Sequence, residues 1–277
     1  MNIKTLRRIY PYISENRRNV KWRRITDMEL IKSVYEKQKT CNCYSMATRY
    51  ALIKSDKGRE LLKNRIWVER GNLEEPAYKI KLSVNGKDEI YRVDQKDLWG
   101  KFFKLFSAYN ENPRGSGNFE ASECNNLNLA LDVAISKMIS KHPKEKPWYL
   151  RIYAWPNNKK CEYNYPSKAF EWFTGMKAET VGENNLRNNM LENDDKEKAL
   201  AILKKIRGKT SKDYSYIVMS GRTKLDLEKW HCLPITDSSK HFIGFKNRRS
   251  NNFMHLTDAE IVENLKAIVG IDWTKSS

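Results

Sequence analysis

Asn85 and Gly86 separate two stretches in which apolar and polar side chains alternate, residues 77–84 and residues 89–94. Alternation with a period of two residues is typical of a β-strand that has one buried face. Asn-Gly is strongly preferred in two-residue hairpin turns because the turn needs positive φ angles, which Gly adopts without strain. The sequence therefore predicts an antiparallel β-hairpin here, which excludes a purely helical fold.

Other stretches have the period of a helix. Apolar side chains recur at helical spacing within residues 126–141: Leu127, Leu131, Ala134, Ile135, Met138 and Ile139. Nearer the C-terminal end, Thr257 and Glu260 form a capping-box pattern ahead of apolar positions that continue to Ile268, which predicts a second amphipathic helix. Helices of this kind beside a separate hairpin predict an α+β fold.

Cys43 begins a third helical pattern, which runs to about Lys63 with a break near residues 55–58. A thiol at a helix N-terminus faces unpaired backbone N–H groups and the positive end of the helix dipole, and both favour the reactive thiolate. Gln38 precedes Cys43, and its side-chain amide is a candidate second donor for an oxyanion hole. Cys41 is a rival nucleophile, but no aromatic residue follows it, so we prefer Cys43.

A histidine and an asparagine near the C-terminal end are candidate partners of this thiol. Residues 226–235 and 241–247 have strand character and are joined by the polar residues 236–240. His231 on the first strand and Asn247 at the end of the second would then be neighbours. An Asn oxygen that accepts from an imidazole N–H fixes the tautomer and leaves the other ring nitrogen for the thiol. His241 is an alternative base, but no Asn stands at a natural strand end behind it except in the pair Asn251 and Asn252.

The order Gln38, Cys43, His231, Asn247 resembles that of the papain-like cysteine peptidases. Within that superfamily, the chain is similar to the catalytic core of the calpains. Weak matches follow one another in the same order as in that core: at residues 77–94, 170–175, 196–220 and 252–261. The resemblance implies a cysteine endopeptidase that cleaves protein substrates through an acyl-enzyme.

The same resemblance implies a two-lobe, papain-like and calpain-like fold with a helical Cys lobe and a β-rich His lobe. We expect a basic N-terminal leader at residues 1–37, a Cys lobe at 38–182 and a His/Asn lobe at 183–277. The boundary is predicted in the polar stretch 182–189, whose residues favour turns.

Three departures from the family pattern keep other functions open. Gln38 lies one residue closer to the thiol than in that family, and Trp230 replaces the usual Gly before the histidine, where it is a candidate cleft residue. Arg248 and Arg249 follow Asn247 where the family has a shielding Pro-Trp pair, and their charges would disfavour an imidazolium. A pseudo-peptidase that only binds protein partners is therefore an alternative, as is an acyl transferase or deamidase with the same triad.

The net charge of +18 raises a further class of function. Residues 1–24 hold eight Lys and Arg against Glu15 alone, with aromatic and aliphatic residues between them. Such a leader suits an acidic protein partner, an anionic membrane surface or nucleic acid. A nucleic-acid-binding protein is therefore a fourth possibility.

Cysteine and histidine usage bears on the compartment and on cofactors. The five Cys show no disulfide framework, which fits a reducing, cytoplasmic location, with delivery into another cell left open. No apolar run reaches the roughly 18 residues of a membrane span, and no signal-peptide core is evident. The sequence shows no zinc-ligand spacing or EF-hand loop and requires no cofactor, while calcium dependence stays open. His142 and His255 are expected to be surface or packing residues.

Overall fold

The computed structural model describes residues 21–34, 43–70, 77–94, 97, 126–145, 164–183, 190–221, 231–239, 243–246 and 253–274. These residues form an α+β fold, as predicted. Seven α-helices lie in this part of the chain: α1 (Asp27–Val34), α2 (Cys43–Lys54), α3 (Asp56–Lys63), α4 (Asn126–Lys141), α5 (Pro166–Thr174), α6 (Asn193–Ile206) and α7 (Asp258–Asn264). The strands are β1 (Trp22–Arg24), β2 (Ile66–Glu69), β3 (Tyr78–Val84), β4 (Lys87–Val93), β5 (Glu179–Val181), β6 (Tyr214–Ser220), β7 (Cys232–Ser238), β8 (Ile243–Lys246), β9 (Phe253–Leu256) and β10 (Leu265–Asp272).

A four-stranded antiparallel sheet has the order β1-β2-β3-β4. The predicted hairpin is confirmed, because β3 and β4 pair from Val84 and Lys87 outward. Asn85 and Gly86 have φ angles of 50° and 75°, as a two-residue hairpin turn requires.

A six-stranded antiparallel sheet has the order β5-β10-β6-β7-β8-β9. The prediction that residues 236–240 form a turn after a strand ending at Ile235 is wrong in part, because β7 continues to Ser238. A register shift between Ile235 and Asp237 lets the strand continue past an irregular pairing. Ser238 Oγ also lies 2.9 and 2.8 Å from the carbonyl oxygens of Ile206 and Lys209, to either of which its hydroxyl can donate, and so attaches this end of β7 to the end of α6 and the residues after it.

Two hydrophobic cores lie on opposite faces of the six-stranded sheet. The first contains α2, α4, α5 and the inner face of the four-stranded sheet, and the second contains α6 and α7. Alternate residues of β10 enter different cores: Ala267, Val269 and Ile271 the first, Leu265 and Ile268 the second. Because the strand is buried on both faces, it reads in sequence as a nearly continuous apolar run.

That double burial explains an incorrect prediction. The capping box is confirmed: Thr257 Oγ1 accepts from the Glu260 N–H at 3.3 Å, and Glu260 Oε2 accepts from the Thr257 N–H at 2.8 Å. The helix that it starts, however, ends at Asn264, and Ile268 belongs to β10 instead of continuing the helix. Pairing with β5 and β6 decides the conformation of this segment.

The other long helical predictions are confirmed. α4 spans residues 126–141, and the pattern that begins at Cys43 forms α2 and α3 with one break. At this break Ser55 is the N-cap of α3, and its Oγ accepts from the Gly58 N–H at 3.0 Å.

Part of the predicted leader 1–37 belongs to this fold, since residues 22–34 form β1 and α1. Ile25 and Leu30 are buried in the first core. Arg23 donates two hydrogen bonds to Glu29, at 2.8 and 2.7 Å, and these bonds are the main cause that lowers the pKa of Glu29 to about 2. None of the helices in the described ranges has the length and apolar composition needed to cross a bilayer.

Candidate active site

Cys43 is the first residue of α2 and is half-buried against the first core. The N-terminal end of a helix of this length carries a partial positive charge. A thiolate at this position is therefore stabilised by the helix itself. Cys43 lies at the described start of α2, and residues 35–42 before it lie outside the described residues.

Buried polar contacts on α4 fix the middle of α2. The Arg49 guanidinium lies 3.3 Å from the Asp132 carboxylate, and both side chains are almost fully buried. Arg49 also donates to the carbonyl oxygens of Ser45 and Asn128, at 3.3 and 3.4 Å. Because Arg49 is a residue of the helix that begins at Cys43, these bonds restrict how the helix can shift in the core.

A second polar cluster attaches the C-terminal end of α2 to β6. Ser215 Oγ on β6 donates to the Ala51 carbonyl at 2.9 Å and lies 3.0 Å from Ser55 Oγ. The indole N–H of Trp273 donates to the same Ser215 oxygen at 2.9 Å. The helix that carries Cys43 is thus joined directly to the six-stranded sheet.

His231 lies immediately before β7 and is only 4% exposed. Ser220, the last residue of β6, holds its backbone through three hydrogen bonds. The Ser220 N–H donates to the His231 carbonyl at 2.9 Å, and the His231 N–H donates to Ser220 Oγ at 3.1 Å. The Ser220 hydroxyl also contacts that carbonyl at 3.3 Å. These bonds fix the backbone of His231, from which its ring extends.

Cys43, His231 and Cys232 are brought together at the contact between α2 and β7. The pKa of the Cys43 thiol is held well below its usual range, first by a hydrogen bond from the Cys232 side chain. Burial opposes this effect, while a hydrogen bond and the charge of His231 add to it, as does the backbone N–H of Cys232. The arrangement favours a Cys43 thiolate beside an imidazole.

The pKa of Cys232 is shifted in the opposite direction. The hydrogen bond to Cys43 and its own burial raise the pKa of Cys232 well above its usual range, and the charges of Cys43 and Glu183 raise it further. Cys232 is 2% exposed. The two neighbouring sulfur atoms therefore divide into a thiolate acceptor, Cys43, and a thiol donor, Cys232.

Two further buried groups belong to this region. His231 Nε2 is buried and has no hydrogen-bond partner in the described part of the chain. Glu183 is 2% exposed, and its Oε1 accepts from the Ser167 N–H at 2.8 Å near the start of α5. Burial raises the pKa of this carboxyl, partly offset by its hydrogen bonds with Ser167.

Sequence reasoning missed Cys232, Ser220 and Glu183. Cys232 directly follows His231, but side chains of successive strand residues point to opposite faces, so both would not be expected beside one thiol. His231 precedes the strand, so this alternation does not apply to the pair. The one sequence signal for Ser220 is that it is a polar residue at the end of a predicted strand. No sequence pattern indicates that Glu183 belongs to the site.

The remaining predicted site residues lie outside the described residues. These are the oxyanion candidate, the cleft candidate, the orienting asparagine and the two rivals: Gln38, Trp230, Asn247, Cys41 and His241. His142 is half-buried and contacts Glu89 at 3.0 Å, whereas His255 is exposed on β9, as expected of surface residues. In the ranges that the structure describes, no group of three or more His, Cys, Asp or Glu could hold a metal ion.

Comparison with known proteins adds no family assignment to this geometry. No protein-family model matches the chain, and no curated protein matches it in sequence.

Proposed function

We propose that the protein is a cysteine endopeptidase with a papain-like, calpain-like two-lobe fold. The observation that carries this proposal is the meeting of Cys43 and His231. The two residues are far apart in sequence, yet the fold brings a helix-terminal thiol with a lowered pKa into hydrogen-bonding contact with a buried imidazole. A nucleophile paired with a base is the core requirement of thiol peptide hydrolysis.

In the proposed reaction, the Cys43 thiolate attacks the carbonyl carbon of a peptide bond. The backbone N–H of Cys43 and the Gln38 amide stabilise the resulting oxyanion. His231 protonates the leaving amine as the C–N bond breaks, which leaves a thioester on Cys43. Water, deprotonated by His231, then attacks the thioester, and Cys43 leaves as the thiolate.

The position of His231 Nε2 supports a role for Asn247. β8 runs antiparallel to β7, so the end of β8 at Lys246 lies toward the end of β7 that begins beside His231. Asn247 follows Lys246 in sequence. An acceptor from this residue at Nε2 would satisfy a buried N–H and turn the other ring nitrogen toward Cys43.

We place the protein in a reducing, cytoplasmic compartment, as the cysteine usage of the sequence predicts. A thiolate in contact with a second thiol persists unmodified where cellular reductants keep thiols reduced. Protein substrates would be cleaved where an extended segment reaches the half-buried Cys43.

The test is cleavage of an unstructured protein, such as casein, by the full chain with added calcium and with a calcium chelator. We expect Cys43→Ala and His231→Ala to lose at least about a thousandfold in rate. His255→Ala is the matched control, because this histidine is exposed on β9 and should leave the rate unchanged. New protein N-termini, identified by mass spectrometry, would establish hydrolysis.

Three results would contradict the proposal. Undiminished cleavage by Cys43→Ala would show that the activity has another source. Release of ammonia or formation of a cross-linked amide would indicate a deamidase or acyl transferase with the same triad. Absence of turnover, with Cys43 alkylated no faster than an ordinary thiol, would indicate a pseudo-peptidase.

A further inference from the structure

The contact between Cys43 and Cys232 lowers the pKa of Cys43, but Cys232 takes no part in the bond-forming and bond-breaking steps of the proposed hydrolysis. Neither cysteine is in a disulfide, and both pack in the first core, where the start of α2 meets the start of β7. Their side chains share a hydrogen bond. Two cysteine side chains within hydrogen-bonding reach of each other, on two different elements, are candidates for a disulfide.

The two sulfur atoms differ in accessibility and in ionisation. Cys43 is half-buried, whereas Cys232 is almost fully enclosed. Oxidants attack thiolates in preference to thiols, so the first step falls on Cys43. Cys232 then lies beside the oxidised sulfur and carries a thiol that can react with it.

We propose that Cys43 and Cys232 form a reversible oxidative modification site in which Cys232 resolves the oxidised nucleophile as a disulfide. The co-reactant is a hydroperoxide. The Cys43 thiolate attacks one peroxide oxygen, the O–O bond breaks, and the departing oxygen takes a proton, which gives a sulfenic acid and water or an alcohol. Cys232 sulfur then attacks the Cys43 sulfur, the S–O bond breaks, and hydroxide leaves with the Cys232 proton as water. The two sulfurs lose two electrons in total, and an external dithiol restores both thiols.

The disulfide would have two effects. It would bond the first residue of α2 to the first residue of β7 and remove the Cys43 thiolate. It would also stop oxidation before the sulfinic and sulfonic acids, which are not ordinarily reversible. The proposal rests on the activated state of Cys43 that the proposed function also uses, but it does not need peptide cleavage.

The experiment treats the full chain with hydrogen peroxide, blocks remaining thiols, and maps peptides by mass spectrometry with and without dithiothreitol. We expect a Cys43–Cys232 linked peptide that disappears on reduction, with recovery of Cys43 alkylation. Cys232→Ser should instead accumulate Cys43 with two or three added oxygen atoms, which dithiothreitol does not remove. Cys232→Ala, with its fold checked by circular dichroism, guards against a defect specific to serine.

Absence of the linked peptide in the wild-type chain would overturn the proposal. So would a Cys232 variant that recovers Cys43 alkylation as fully as the wild type. Because the readout is the mass of cysteine peptides, it is independent of proteolysis. Failure of the peptidase assay alone would leave this test unaffected.

A second, independent observation concerns the outer face of the four-stranded sheet. Arg24, Trp67, Lys79 and Arg92 are paired neighbours, one on each strand, and form a row across the sheet. Ile90, in the adjacent position on β4, is 59% exposed. Cations, an indole and an exposed apolar side chain therefore lie together on this face.

Cations lie over both indoles of this face. Lys79 Nζ is 4.3 Å from the centre of the Trp22 ring, and Arg92 Cζ is 5.9 Å from it. Lys81 Nζ is 5.8 Å from the centre of the Trp67 ring. These contacts hold several positive charges together on one side of the sheet, close to aromatic surface.

The acidic groups nearby are engaged within the protein. Asp88 is paired with Arg65 at 2.9 Å and with Lys81 at 3.6 Å. Glu69 accepts from the backbone N–H of Ala77 at 3.2 Å. The face therefore keeps an excess of positive charge, in agreement with the strong net charge of the chain.

We propose that this face binds single-stranded nucleic acid. Phosphates would contact the cations, and bases would stack on the indoles, which every base can do. A duplex fits less well, because its bases are not available for stacking on a flat sheet. An acidic protein segment would use the charges but gain nothing specific from the rings.

Fluorescence anisotropy with labelled oligo-uridine and oligo-thymidine, measured at several salt concentrations, tests this proposal. Changing Lys79, Lys81 and Arg92 together to Gln should reduce the slope of log affinity against log salt by about 2, because each phosphate that the protein neutralises on a single strand adds about 0.7 to that slope. Trp67→Ala should weaken binding about tenfold with little change of slope. Lys198→Gln on the distant helix α6 is the control and should change neither value.

An unchanged slope in the triple variant would overturn the assignment of the face. Displacement of the oligonucleotide by poly-glutamate at equal charge concentration would show that the face binds any polyanion. Equal binding of a duplex of the same length would contradict recognition of single strands.

Discussion

Removal of the Asp132 carboxylate should destabilise the fold far more than removal of a surface charge. The side chains of Arg49 and Asp132 are only 4% and 10% exposed. In Asp132→Asn, the Arg49 guanidinium would stay buried without a full counter-charge, and loss of one partner of a buried pair costs about 3–5 kcal/mol. The other bonds of Arg49, two long ones to carbonyl oxygens, offset little of that cost.

A double-mutant cycle separates the interaction free energy of Arg49 and Asp132 from the cost of burying each charge. Urea unfolding, followed by far-UV circular dichroism, gives the free energy of unfolding of Asp132→Asn, Arg49→Met and the double variant. We expect the double variant to be more stable than the sum of the single losses predicts, by about 2 kcal/mol or more, because it leaves neither charge unpaired. Lys198→Gln breaks the exposed Lys198–Asp195 pair and should cost less than about 0.5 kcal/mol. A loss below about 1 kcal/mol in Asp132→Asn, or additive single effects, would refute the view that this pair anchors α2.

Three other changes test separate parts of the structure. Cys232→Ala removes the main donor to Cys43, so the pH of half-maximal iodoacetamide alkylation at Cys43 should rise, and an unchanged profile would exclude this donor role. The pKa of Glu29 falls from 4.5 to about 2 on folding, so its ion pair stabilises the protein above pH 4.5 and this contribution is lost as the pH falls toward 2. Acid titration of stability should therefore be shallower in Glu29→Gln, and identical acid profiles would contradict the assigned pair. Gly182→Ala should destabilise by at least about 2 kcal/mol, because a Cβ would lie 2.3 Å from two neighbouring atoms at a φ of +78°. Gly208→Ala has a similar φ of +71° with open space around it, so thermal unfolding should show a smaller loss there, and equal losses would rule out the clash as the cause.

Local signals predicted those parts of the fold that local interactions determine. The Asn85-Gly86 turn and the capping box at Thr257 each depend on a few adjacent residues, and both form as expected. The strand β10 could not be separated from the preceding helix, because an apolar run buried on both faces has no period that distinguishes helix from strand. Its conformation depends on pairing with β5 and β6, which are distant in sequence.

The candidate site was predictable to the same extent. Residue types and order were enough to choose Cys43 and His231, and the structure places them in contact. Cys232 was not chosen, because its proximity depends on how β7 begins relative to α2. The hydrogen bonds between Ser220 and His231 could not be predicted either, since they require the pairing of β6 with β7.

The position of β10 between β5 and β6 has a consequence during synthesis. A ribosome makes Cys43 early and His231 much later, and β6 lacks one of its two neighbours until residue 272 has emerged. The nascent protein therefore carries a cysteine without its imidazole for most of translation. A chain cut before residue 265 would leave β5 without its partner and β6 with an open edge, and an open strand edge is a template for aggregation.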